Sequence, residues 1–124
     1  MSGWPAGDVA AIGRADEIQV ASLRPDGTLR PYVTIWAVRV GDDVYVRSAH
    51  GGDNPWFRRA ASSGQGRIRA RGLERDVQFS TPGPGAADAV TAAYHAKYDR
   101  YGPAIVGGVV SPEALRSTLR VTPR

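Results

Sequence analysis

The chain has 124 residues, 42% of them hydrophobic and 23% charged, the size and balance of one globular domain, so neither disorder nor a coiled coil is indicated. Cysteine is absent, which excludes disulfides, thiolate metal sites and a cysteine nucleophile. Sixteen Lys and Arg against twelve Asp and Glu give a net charge of +4, and because Lys97 is the only lysine the cations are almost all arginine.

The first residues, 1–11, read as a loose segment at the start of a single domain spanning 1–124. Met1 to Pro5 carries neither a basic leader nor an apolar segment, which sets the expected location as cytoplasmic. Glu17 to Leu23 mixes β-branched and polar residues, and Arg24-Pro25-Asp26-Gly27 supplies Pro and Gly where a reverse turn wants them. Arg30 to Val40 is apolar on both parities, as in a central strand covered on both faces, so it predicts a second covering layer. Gly41-Asp42-Asp43 is a turn signal, and Val44 to Ser48 returns as a strand of β-formers.

Asn54 and Pro55 suit the first positions of a helix, which ends near Ser63-Gly64. Gln65 to Ala70 and Leu73 to Ser80 form a strand pair, the second alternating Leu73, Val77 and Phe79 with Glu74, Asp76 and Gln78. After the Pro/Gly break at residues 81–85, Ala86 to Tyr101 has helical spacing in Val90, Ala93, Tyr94, Lys97 and Tyr101. Gly102-Pro103 stops it, Ser111-Pro112-Glu113 opens a short helical turn, and Ser117 to Thr122 reads as a closing strand. The longest candidate for a membrane span, Ala104 to Val110, is broken by glycines and far short of roughly 20 residues. Six strands with two or three short helices and short connections cannot be a parallel doubly wound sheet; they predict an α+β fold around a closed antiparallel barrel.

The most informative segment for chemistry is Arg47 to Trp56. A strand end carrying Arg47 and Ser48 meets His50, Gly51 and Gly52 and then a helix start, where free amides and the helix dipole favour an anion. Arginine's planar fork suits phosphate and carboxylate, and Arg58 and Arg59 follow closely. The same spacing also serves a plain strand-to-helix turn with solvated arginines. Arg67, Arg69 and Arg71 alternate into a basic stripe, but Glu74 and Asp76 are spaced to lie opposite, and no aromatics for base stacking are interleaved, which argues against nucleic acid. His50 and His95 have no metal-ligand spacing around them. Tyr94, Tyr98 and Tyr101 read as packing residues rather than catalytic ones.

Read in order, Pro25-Asp26-Gly27-Thr28-Leu29-Arg30-Pro31, a long apolar strand, Asp43 to Ser48, His50-Gly51-Gly52 and Pro55-Trp56-Phe57 resemble the flavin-binding split-barrel superfamily. The layout is similar to its deazaflavin-dependent nitroreductase-like and pyridoxamine-phosphate-oxidase-like members, and the whole chain resembles a small uncharacterised bacterial family. The resemblance implies a six-stranded split barrel, a homodimer, and FMN or an 8-hydroxy-5-deazaflavin coenzyme bound for oxidoreductase chemistry on a small molecule. Arg30, Tyr32 and Thr34 match the strand passing the ring or tail, Arg47, Ser48, His50, Gly51 and Gly52 match a phosphate-side loop, and Asn54, Trp56 and Arg58 match its helix. The lysine-rich signature of the deazaflavin enzymes is missing. A non-catalytic barrel that binds another small ligand, or acts through its dimer surface, is the alternative.

Overall fold

The apolar run before Gly41 forms two strands rather than one, and that break shapes the molecule. In the computed structural model, which describes residues 3–124, α1 (Ala6–Arg14) leads into β1 (Ile18–Ser22), and a hairpin returns as β2 (Val33–Ile35). β3 (Ala37–Val40) and β4 (Asp43–Val46) follow, then α2 (Pro55–Ser63), β5 (Gln65–Ala70) and β6 (Leu73–Ser80). α3 (Ala86–Tyr98) continues through a 3-10 turn at Asp99–Tyr101 into α4 (Pro103–Val110) and α5 (Pro112–Leu115), and β7 (Leu119–Pro123) closes the chain. All pairings are antiparallel, and the seven strands run in the order β2-β1-β5-β6-β7-β4-β3. The two outermost strands are consecutive in the chain, so the sheet curls into a nearly closed split barrel.

Seven strands replace the expected six because Trp36 interrupts the pairing. Ala37 gives its amide to the Tyr98 hydroxyl at 3.2 Å, and its carbonyl accepts from the Lys97 ammonium at 2.6 Å and from the Tyr98 hydroxyl at 3.0 Å. The Trp36 ring lies flat on Tyr98, with centroids 3.9 Å apart and planes 2° from parallel. Side chains of α3 thus take the backbone groups that a continuous ladder would have used. The doubly apolar reading of this run holds: Ala37 faces the barrel interior with Ile18, Val44, Ile68 and Val77, while Val38 faces a second apolar layer with Tyr45, Val90, Tyr94 and Val106.

The segment expected to be loose is helical from Ala6; Met1 and Ser2 lie outside the described residues. Val9 and Ile12, three apart, are buried, and the Trp4 indole donates to the Val121 carbonyl at 2.9 Å. A nine-residue helix is too short to persist alone, so this burial holds it. Gly102-Pro103 ends one helix and also begins the next, since Pro103 occupies the first turn of α4. The β5–β6 hairpin turns at Arg71-Gly72, both with positive φ (49° and 82°), the geometry of a tight two-residue turn. Arg71 therefore leaves the stripe. Gly66 is demanded by packing: a Cβ there would lie 2.1 Å from the Ala21 carbonyl oxygen of the neighbouring strand. Among the described residues no helix is long and apolar enough to cross a membrane.

Candidate functional site

A cavity of about 270 Å³ opens beside the strand break, between β2, the loop after β4, the start of α2 and α4. Thr34, Trp36, Asn54, Trp56 and Ile105 contribute walls, and Arg47 lies at its base. Val33 and Ile105, 38% and 58% exposed, are large apolar side chains left at its rim. Tyr101, at 41% exposure the other large apolar residue on the described surface, stacks on Trp36 at 5.6 Å. The large exposed apolar side chains of the described surface therefore gather around this slot.

Arg47 is 2% exposed and its guanidinium is spent internally. Nε donates to the Thr118 hydroxyl at 2.8 Å, Nη1 to the Thr91 hydroxyl at 2.9 Å and the Val109 carbonyl at 3.0 Å, and Nη2 to the Ala87 carbonyl at 2.9 Å. Burial lowers its pKa from the ordinary arginine value, since every acceptor is neutral and its other neighbour is the Tyr94 ring at 5.5 Å. Arg47 ties β4 to α3, α4 and the start of β7 rather than presenting a fork to the slot.

The diglycine bend is filled. A Cβ on Gly51 would meet the Glu113 Cβ at 3.1 Å, and one on Gly52 the Phe57 ring at 3.3 Å. Gly51 has φ 110°, a conformation open to glycine, and lets the chain turn against α5. His50 sits at φ 62° with its amide on the Gly108 carbonyl at 2.8 Å and its ring against Gly108, where a Cβ would come within 3.1 Å of Cε1. Ser48 is buried, its amide donating to the Ser117 hydroxyl at 2.9 Å. Asn54 does not cap α2 as its position suggests; its side-chain amide turns back to the Ser48 hydroxyl at 2.7 Å and the Ala49 carbonyl at 2.9 Å, bracing the loop.

The structure thus brings Thr34, Arg47, Asn54 and Trp56 to one slot. Arg30 and Arg58 face a separate cleft on the other side of Trp56, where Arg24 and Arg59 join them. Tyr32 is turned to Arg69, whose guanidinium carbon lies 4.1 Å from its ring centroid. Ser48, His50, Gly51 and Gly52 serve the packing of the corner. Ile105 and Val109 escape the sequence reading because the glycine-proline pair reads there only as a stop; eight residues so apolar, opening on proline, are the available signal for α4. Among the described residues no group of three or more His, Asp or Glu side chains is placed to hold a metal ion.

A nearly closed antiparallel barrel of this order, helices covering its β3–β4 side, defines a split-barrel protein. Residues 8–121 match the model of a bacterial family described as "Uncharacterized protein conserved in bacteria (DUF2255)", and the chain belongs to it. No curated protein matches the chain. Among solved structures it is similar to HutZ, the heme storage protein from Vibrio cholerae, at 16% identity and TM-score 0.65 over 96% of this chain and 89% of that one. It is similar to an F420 reductase at 17% identity and TM-score 0.56, covering 98% and 96% of the two chains. A FAD-binding protein from Mesorhizobium loti gives 13% identity and TM-score 0.53, with 98% and 91% covered. At such identities the shared property is the fold.

Proposed function

We propose that this chain is a small-ligand-binding split barrel whose slot receives the ring of a flavin-type cofactor, FMN or an 8-hydroxy-5-deazaflavin coenzyme, for oxidoreductase chemistry on a small molecule. The observation that carries the reading is the apolar slot at the Trp36 break, where Thr34, Asn54 and Trp56 converge beneath a rim of exposed Val33 and Ile105. Ligand sites are concave, largely apolar and supplied with a few polar groups, and at about 270 Å³ this one is at the small end of their range of roughly 300–1,000 Å³. It suits a ring system and leaves a tail outside.

The residues present fit the ring. Trp36 and Trp56 offer aromatic walls, Thr34 a hydroxyl, and Asn54 a carbonyl whose amide is already committed to the loop. Arg47 does not supply a phosphate grip, because its N–H groups are taken by Thr91, Thr118 and carbonyls; a tail charge has to be met by Arg30 and Arg58 beyond Trp56. A bound flavin-type ring would bring the hydride chemistry itself. The chain's part is to hold the ring, exclude water from one face and leave the other to substrate; Glu17 is the one carboxylate at the slot.

The apolar rim supports a homodimer in which a second copy covers Val33, Tyr101 and Ile105, since surface of this kind concentrated around one cavity marks an interface. A second reading, a non-catalytic barrel that binds another small ligand in place of a flavin, is favoured by the burial of Tyr94 and Tyr98, whose phenols are pushed well above the ordinary tyrosine pKa chiefly by desolvation and so hold their protons. Fluorescence titration with riboflavin, FMN and a deazaflavin coenzyme separates these. Binding of a coenzyme that Trp56→Ala weakens by about tenfold or more supports the slot. A folded protein that leaves all three unbound at ~100 µM rules it out.

A further inference from the structure

A depression of about 950 Å³ lies between the β1–β2 hairpin and the outer face of α2. Arg24, Arg30, Arg58 and Arg59 line it together with Ser62 and Ser63, and no Asp or Glu does. The hairpin's own carboxylate, Asp26, is committed to Thr28, accepting from its hydroxyl at 2.6 Å and its amide at 3.0 Å. Arg24 spends one nitrogen on the Leu29 carbonyl at 2.8 Å and the Thr28 hydroxyl at 3.4 Å, leaving the rest of its fork free. Arg30 carries a buried Nε without a protein acceptor.

Carboxylates are not scarce elsewhere: Arg67, Arg69, Arg75, Arg100 and Arg120 each have one in ion-pair contact. Here they are missing. α2 carries no acidic residue, so Arg58 and Arg59, midway along it, have no carboxylate on their own helix to offset them. A concave surface lined by one sign of charge concentrates counter-ions, and arginine forks grip phosphate oxygens in pairs. Arg30 and Arg59 also border a narrow neck of about 20 Å³ that they share with Val33 and Trp56, which separates the cleft from the slot.

We propose that this cleft binds an oligophosphate, a compact group with two or more negative charges gripped by Arg30, Arg58 and Arg59, with Arg24 closing over it from the hairpin. The site does not depend on a ring in the neighbouring slot. The same forks would take either a free oligophosphate or the phosphate monoester tail, itself a dianion, of a ligand whose ring occupies the slot.

The test is calorimetric titration of the full chain with inorganic phosphate, pyrophosphate and tripolyphosphate in low salt. Affinity is expected to rise in that order, to fall in about 0.5 M NaCl, and to drop at least about tenfold in the double variant Arg58→Ala/Arg59→Ala, whose thermal melt confirms folding. Competition by FMN but not by riboflavin assigns the site to a ligand tail, and independence from both assigns it to a free oligophosphate; either result supports it. Tripolyphosphate binding without riboflavin binding retains the cleft and removes the ring reading. The proposal is overturned if wild type takes up no tripolyphosphate at millimolar concentration, or if the double variant binds it as well.

Discussion

One group of arginines lies on β5 and another gathers around the cleft at its start, and they behave differently. Near the β5–β6 turn, the register sets Arg67 opposite Asp76 and Arg69 opposite Glu74, with Nε contacts of 2.8 Å and 2.7 Å. Those hydrogen bonds raise the arginine pKa values and lower that of Asp76. Beside Gln65, where β5 begins, the cleft gathers arginines with no acid among its walls. Composition cannot distinguish them. The partner that the fold places opposite each guanidinium decides whether it belongs to the structure or is left for a ligand, and Arg47 is a third case, buried on neutral acceptors.

The largest expected effect tests the backbone register behind the paired stripe. Gly66→Ala forces a Cβ to 2.1 Å from the Ala21 oxygen, so the β1–β5 pairing must shift, at a cost of about 3 kcal/mol or more in chemical denaturation. Arg47→Met comes next. It leaves Thr91, Thr118 and the Ala87 and Val109 carbonyls without their donor, and stability is expected to fall by about 2–3 kcal/mol in urea, while riboflavin affinity measured below the melting transition stays within about twofold. A loss confined to ligand affinity would return Arg47 to the binding site.

The lone lysine extends the comparison to pH. Burial pushes Lys97 down to about 8 from 10.5, so between those values the unfolded chain binds the proton that the folded chain has released, and stability rises with pH across the window. Above pH 10 the buried tyrosines reverse the trend, since their phenols ionise more readily once unfolded. Lys97→Met should flatten the rise between pH 8 and about 10 in melting temperatures. The smallest effect separates the two arginine groups directly. Arg67→Ala is expected to cost a little stability at low salt and nothing at ~1 M NaCl, where exposed pairs are screened. Arg58→Ala/Arg59→Ala is expected to leave stability unchanged or raise it at low salt by relieving like-charge crowding, and to converge with wild type at ~1 M NaCl.

Much of the fold was legible wherever short-range chemistry decides. Proline after Asn54 and glycine at 64 mark the ends of α2, and the alternation of Leu73, Val77 and Phe79 marks β6. The pairing of Arg67 and Arg69 was legible too, because antiparallel register follows from the tight turn between the strands. The site was less so. Arg47, Gly51 and Gly52 carry the composition of an anion loop, yet apart from the Phe57 ring against Gly52 the groups that fill that corner, on Thr91, Val109, Glu113 and Thr118, lie more than forty residues from Arg47 in sequence.

By itself the sequence determined a barrel-forming chain, its hairpin strand pairs, the openings of α2, α3 and α5 and an arginine excess, since periodicity, turn residues and charge act over a few neighbours. Only the tertiary structure decided that Trp36 breaks the long strand, that α4 walls a slot, and which arginines lose their acids. Those outcomes depend on contacts between segments far apart in the chain, and local preference does not encode which groups will meet.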